Sequence, residues 1–142
     1  QSGAVVCTDR AKCTFKRNHI MDNETGYGVV VNGGSAVFDG NTIEGFKTCV
    51  VVNYGAPEFK LNSVLRAAQC GLLVTKGAAG TYSKNQIFQC QEFGMSVTAS
   101  ATPLVDGNEM YDNATGLNVE EAKGKFRNNV VFENTNVAVW LH

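Results

Sequence analysis

Proline is nearly missing from this 142-residue chain, with two copies against fifteen glycines and fourteen asparagines. That balance favours many tight corners over long helices. Charge is thin too: 18% of residues are charged, the formal net charge is −1, and the pI lies near 6.1. With no basic excess there is no broad footprint for nucleic acid or an anionic membrane. No apolar run is long enough for a transmembrane helix. Leucine is sparse and irregularly placed. Histidine occurs only as His19 and His142, at opposite ends of the chain, which excludes a dyad linking the two. No Ser/His/Asp set and no nucleotide-binding glycine loop is present.

The five cysteines, Cys7, Cys13, Cys49, Cys70 and Cys90, are odd in number and lack CxxC or Cys/His ligand spacing. A complete disulfide framework and a zinc site are both disfavoured. They read as buried small hydrophobes in a reducing, cytoplasmic compartment. Asn23-Glu24-Thr25 and Asn113-Ala114-Thr115 are glycosylation sequons that would matter only in a secreted chain. Gln1 to Val6 lacks a basic n-region and an initiating Met, as a cut or processed end would.

What the chain does have is a repeat. Asn18, Asn41, Asn62, Asn85, Asn108 and Asn129 are spaced 23, 21, 23, 23 and 21 residues apart. Three residues before each stands Phe15, Phe38, Phe59, Tyr82, Val105 or Phe126, and two residues after stands Ile20, Ile43, Val64, Ile87, Met110 or Val131. Both columns are apolar throughout. A third feature, a small or turn-forming residue ahead of a short apolar run, recurs from Gly28-Val29-Val30-Val31 to Asn136-Val137-Ala138-Val139, with Gly3 to Val6 as a seventh copy. With 44% apolar residues, one domain spanning residues 1–142 can bury a core.

Leucine-rich repeats need several leucines at fixed offsets, which are absent here. Helical repeats fail because the apolar runs are short, β-branched and bounded by Gly or Asn. The remaining solution is all-β: a single-stranded parallel β-helix, a solenoid of about six to seven coils of 21–23 residues. Three short strands per coil would stack at about 4.8 Å per rung into a rod on the order of 30 Å long. Neither terminus shows a polar cap, so the chain reads as a fragment of a longer solenoid or a rod that pairs end to end.

The six asparagines would form a ladder at the corner between second and third strands, each amide donating to one neighbour and accepting from the other. Asparagine tolerates the left-handed backbone such a corner requires. A shorter second column falls at Asn23, Asn113 and Asn134. The column Cys13, Ala36, Pro57, Gly80, Pro103 and Gly124 alternates proline with small residues, making the repeat nearly two coils long and placing both prolines at strand entrances.

These motifs, as in Gly71-Leu72-Leu73-Val74 and Ala56-Pro57-Glu58-Phe59-Lys60-Leu61-Asn62, resemble the right-handed parallel β-helix repeats grouped with carbohydrate-binding and sugar-hydrolase domains. The two-coil alternation is similar to the β-helix of F-box proteins, which recognise substrates for ubiquitin ligases. The resemblance implies a right-handed scaffold. It also implies either a non-catalytic protein-recognition module or a domain that binds or modifies polysaccharide as a lyase, hydrolase or epimerase.

Catalysis on such a scaffold is expected to gather carboxylates and a basic residue on one outward face, and no such set can be assembled. The column Lys16, Asp39, Lys60, Ser83, Asp106 and Arg127 alternates in sign, as inter-coil ion pairs would. Asp112 and Glu133 on adjacent rungs are the best carboxylate pair, too few for calcium and without a basic partner. Glu120 and Glu121 read as solvated. No metal and no cofactor is expected. The outward residues of the first strands, aligned as Val5, Val30, Val51 and Leu73 before Ser96, Asn118 and Ala138, would form an exposed apolar stripe. That stripe and the uncapped ends are the expected contacts for a protein partner or self-association, and Val30→Asp or Leu73→Asp should leave the fold intact. Tyr54 and Trp140 stand alone, so carbohydrate stacking is only weakly indicated.

Overall fold

The computed structural model describes residues 3–22 and 24–142. Every regular element is a strand, and the strands sort into three parallel sheets that each take one strand per coil. The first sheet is the widest: Val5–Asp9, Tyr27–Gly33, Thr48–Tyr54, Cys70–Val74, Phe93–Thr98, Thr115–Glu120 and Val137–Leu141. The second takes the three-residue strands centred on Phe15, Phe38, Phe59, Tyr82, Val105 and Phe126, and the third those centred on Ile20, Ile43, Val64, Ile87, Met110 and Val131. Six full coils and a seventh first-sheet strand result. Asn23, of the shorter asparagine column and the first sequon, lies outside the described residues, as do Gln1 and Ser2.

In every three-residue strand the central residue is apolar and is the one that turns inward, whatever its two outward neighbours are. The inward columns fill the prism. Phe15, Phe38, Phe59 and Tyr82 stack with ring centroids 5.0, 4.4 and 5.7 Å apart. Burying each ring contributes about 1.5–3 kcal/mol. Tyr82 enters this apolar column because its hydroxyl donates to the Ala79 carbonyl at 3.0 Å, and burial pushes its phenol well above the ordinary value.

The asparagine ladder is present along the whole rod. The Asn62 backbone N–H and Nδ2 both donate to Asn85 Oδ1, at 2.9 and 3.0 Å, and Asn85 repeats the pair to Asn108 at 2.9 Å each. Each Nδ2 from Asn41 to Asn129 also donates to the carbonyl of the core residue one coil earlier, as Asn85 does to Phe59. The left-handed residue is not the asparagine, however. It is the one before: Arg17, Gly40, Leu61, Lys84, Gly107 and Asn128 all have φ between 53° and 68°. Turning the chain there aims the next amide inward along the axis. The shorter column works likewise, with Cys90 N–H donating to Asn113 Oδ1 and Asn113 N–H to Asn134 Oδ1, both at 3.0 Å.

Pro57 and Pro103 are buried immediately before second-sheet strands, where a missing N–H costs no ladder bond. Their carbonyls accept from Thr81 and Lys125 one coil on. Gly80, at φ +102°, rests on Pro57, and a Cβ there would run into the Pro57 carbonyl oxygen. A glycine at position 80 is thus a stacking requirement, set by the backbone of the coil before it.

Candidate functional site

The third sheet carries two outward columns, one on each side of its inward residues. One, three residues after each ladder asparagine, runs Met21, Glu44, Leu65, Phe88, Tyr111 and Phe132 in unbroken register. The other runs His19, Thr42, Ser63, Gln86, Glu109 and Val130. Phe88 and Tyr111 lie parallel with centroids 5.0 Å apart and 3° between planes, and Tyr111 and Phe132 follow at 5.0 Å and 19°. Parallel rings at that separation are offset stacks, so their faces turn toward one another and their edges outward. Leu65, Phe88 and Tyr111 are half-buried and Phe132 is exposed. All four lie outside the core cluster.

Carboxylates border this aromatic ladder. Glu109 lies on one side, receiving the Gln86 amide at 3.3 Å. Asp112 and Glu133 occupy the corner on the other, both in left-handed backbone conformation at φ 54° and 51°. Their rungs are joined by the Asp112 N–H donating to the Glu133 carbonyl at 3.2 Å, and both side chains are exposed. The Tyr111 phenol is pushed above its ordinary value by burial and then by the charges of Glu109 and Asp112.

At the other end of the column, Glu44 replaces the apolar residue and is almost fully covered. Its two carboxylate oxygens meet His19 Nε2 from the preceding coil and Arg66 Nη2 from the next. Burial pushes the Glu44 carboxyl up, but the His19 hydrogen bond and the Arg66 guanidinium outweigh it and hold it below the ordinary value. This three-coil clamp is satisfied internally.

The expected apolar stripe of the first sheet is not open. Val5 pairs with Val29, an inward position, so Val6 and not Val5 continues the outward column. At the far end Trp140, not Ala138, pairs with Asn118. Val30 and Val51 lie outside the core cluster yet are 0% and 1% exposed. Val30 is covered by Gly3, whose Cβ position would fall 2.8 Å from Val30 Cγ2. Leu73 is half-buried. Beyond it the column turns polar and closes on itself, with Asn118 Nδ2 donating to Ser96 Oγ at 3.1 Å.

Other candidates disperse. The alternating charges of the second sheet form the ion pairs Lys16–Asp39 at 3.4 Å and Arg127–Asp106 at 2.9 Å, while Lys60 pairs with Glu58 in its own strand at 3.2 Å. Glu120 and Glu121 are exposed. The Tyr54 ring faces Lys76 Nζ at 5.9 Å, and Trp140 stacks on His142. All five cysteines are free, and all but Cys13 are buried. Burial raises the Cys49 thiol to about 12 and the Cys90 thiol to about 11, which leaves both inert at neutral pH. Among the described residues no three His, Cys, Asp or Glu side chains are grouped to hold a metal ion.

Sequence reading missed the aromatic column and Glu44. Both were visible three residues after each asparagine, where Leu65, Phe88, Tyr111 and Phe132 stand on consecutive coils.

No curated protein and no solved structure matches the chain. Residues 3–142 match the family model described as the right-handed beta helix region. With three parallel sheets, one strand per coil in each and an asparagine ladder at the corner, the chain belongs to the right-handed β-helix family.

Proposed function

We propose that this β-helix is a non-catalytic recognition module that binds protein through the outer face of its third sheet. The observation that carries the reading is the ladder of Phe88, Tyr111 and Phe132 on three consecutive rungs outside the core. The inward columns already fill the prism, so these rings are not needed to complete it. Aromatic side chains on a rigid sheet supply apolar contact area with little conformational entropy to lose. Their stacking also favours a polypeptide over a sugar, since a pyranose packs on a ring face and both faces of the central ring, Tyr111, are turned toward neighbouring rings. The likeness of the two-coil alternation to F-box β-helices supports a protein partner, with ubiquitin-ligase substrate choice as its narrowest form.

Selection of a displayed peptide library against the wild-type chain and against Tyr111→Ser tests the reading. Peptides enriched on the wild type and lost on Tyr111→Ser, with unchanged circular dichroism and urea midpoint, support it. Equal enrichment on both, or Tyr111-dependent binding or turnover of a uronic-acid polymer, overturns it in favour of the polysaccharide reading.

A further inference from the structure

Resting on that reading of the third sheet, we infer that its partner is a cationic segment, an extended polypeptide stretch in which Lys or Arg alternates with apolar residues. Two independent features meet on the last coils. One is the aromatic ladder. The other is the charge around it: Glu109 borders Tyr111 on one side, and Asp112 and Glu133 border Tyr111 and Phe132 on the other. Among the described residues none of the three forms an ion pair. Within the third-sheet segments 86–89, 109–112 and 130–133 there is no Lys, Arg or His.

Two neighbouring outward columns differ. On the second sheet Lys16, Lys60 and Arg127 each have a carboxylate, and on the first coils of the third sheet Glu44 is closed between His19 and Arg66. Among the described residues Lys125 and Glu120 also lack an ion pair, and Lys84 lines one cavity with Glu109 without pairing with it, but of the unpaired carboxylates it is Glu109, Asp112 and Glu133 that lie beside the aromatic ladder. A Lys or Arg side chain suits that surface in both its parts. Its aliphatic stem packs along the ring edges and its charged head reaches a flanking carboxylate. An extended chain sets same-face side chains about 7 Å apart, close enough to reach Glu109 and the corner carboxylates together. An anionic polysaccharide would meet three like charges here.

Fluorescence anisotropy with short synthetic peptides alternating Val with Lys, with Gln or with Glu tests this on the intact chain. The Lys peptide is expected to bind about tenfold tighter than the Gln peptide at low salt, and the advantage should shrink at high salt. The triple variant Glu109→Gln, Asp112→Asn, Glu133→Gln should erase the preference while keeping the Gln-peptide affinity, and Tyr111→Ser should weaken all three. Preference for Lys surviving in the triple variant overturns the cationic inference and leaves the recognition face standing. Binding unaffected by Tyr111→Ser overturns the face itself. Equal binding of the three peptides, or none, overturns the inference.

Discussion

Asn85 Oδ1 accepts both the backbone N–H and the side-chain amide of Asn62, at 2.9 and 3.0 Å. One oxygen thereby satisfies two donors of the coil before it, while the Asn85 amide serves Phe59 and Asn108. Asn85→Ala should cost at least about 2 kcal/mol, since it strands buried donors on one side and acceptors on the other. Asn18→Ala, on the first coil where the amide is exposed, should cost about 1 kcal/mol or less. Urea unfolding of the two variants checks the contrast, and equal midpoints would show that the ladder is not the source of stability.

Gly80 and Gly77 separate two costs of adding a methyl group. Both have positive φ, but a Cβ at Gly77 meets nothing within 4 Å whereas one at Gly80 meets Pro57. Gly77→Ala should lower stability by about 1 kcal/mol from backbone strain alone. Gly80→Ala should lose more, about 2–3 kcal/mol. The double variant Gly80→Ala, Pro57→Ala, compared by thermal melting with each single one, should not recover the loss, because the clash is with the Pro57 backbone carbonyl, which alanine retains.

Glu44 should impart acid sensitivity. Its folded carboxyl sits below the ordinary 4.5, so its contribution to stability is complete above the unfolded value and disappears as pH falls through the folded one. At neutral pH wild type should therefore be more stable than Glu44→Gln. The gap should close on acidification below about pH 4.5. Urea midpoints from neutral to acidic pH decide it, and a gap constant across that range would rule out the carboxylate as its source.

Val51→Asp should not be tolerated as an outward substitution. At 1% exposure the carboxylate would be buried without a partner, a loss of about 3 kcal/mol or more. Val30→Asp should behave alike, and Leu73→Asp, half-buried, should fold with a smaller penalty. Yield of soluble protein and melting temperature compare the three.

The core was legible because its columns repeat at fixed offsets and chemistry: Phe38, Phe59, Ile43 and Ile87 announce themselves on every coil. The first strand was not. Gly3-Ala4-Val5-Val6 mimics Gly28-Val29-Val30-Val31, but Cys7 pairs with Val31, and a one-residue offset exchanges the two faces. Burial of an outward column was also hidden, since alternation tells direction and not shielding. The left-handed positions escaped notice because Arg17, Leu61 and Lys84 are not residues that seek that conformation. Stacking imposes it on them. The Glu44 clamp joins residues 25 and 22 positions apart, and only the coil register brings them together.

The ladder bonds all run one way, each amide donating toward the coil of higher number. Six aligned amide dipoles joined by these five bonds make this corner a vector, with an acceptor left free among the described residues at the Asn18 pole, reinforced by mutual polarisation. A coil inserted by duplication joins the column only in the same orientation. The corner therefore proofreads the direction of any lengthening of the rod, admitting head-to-tail additions and refusing inverted ones.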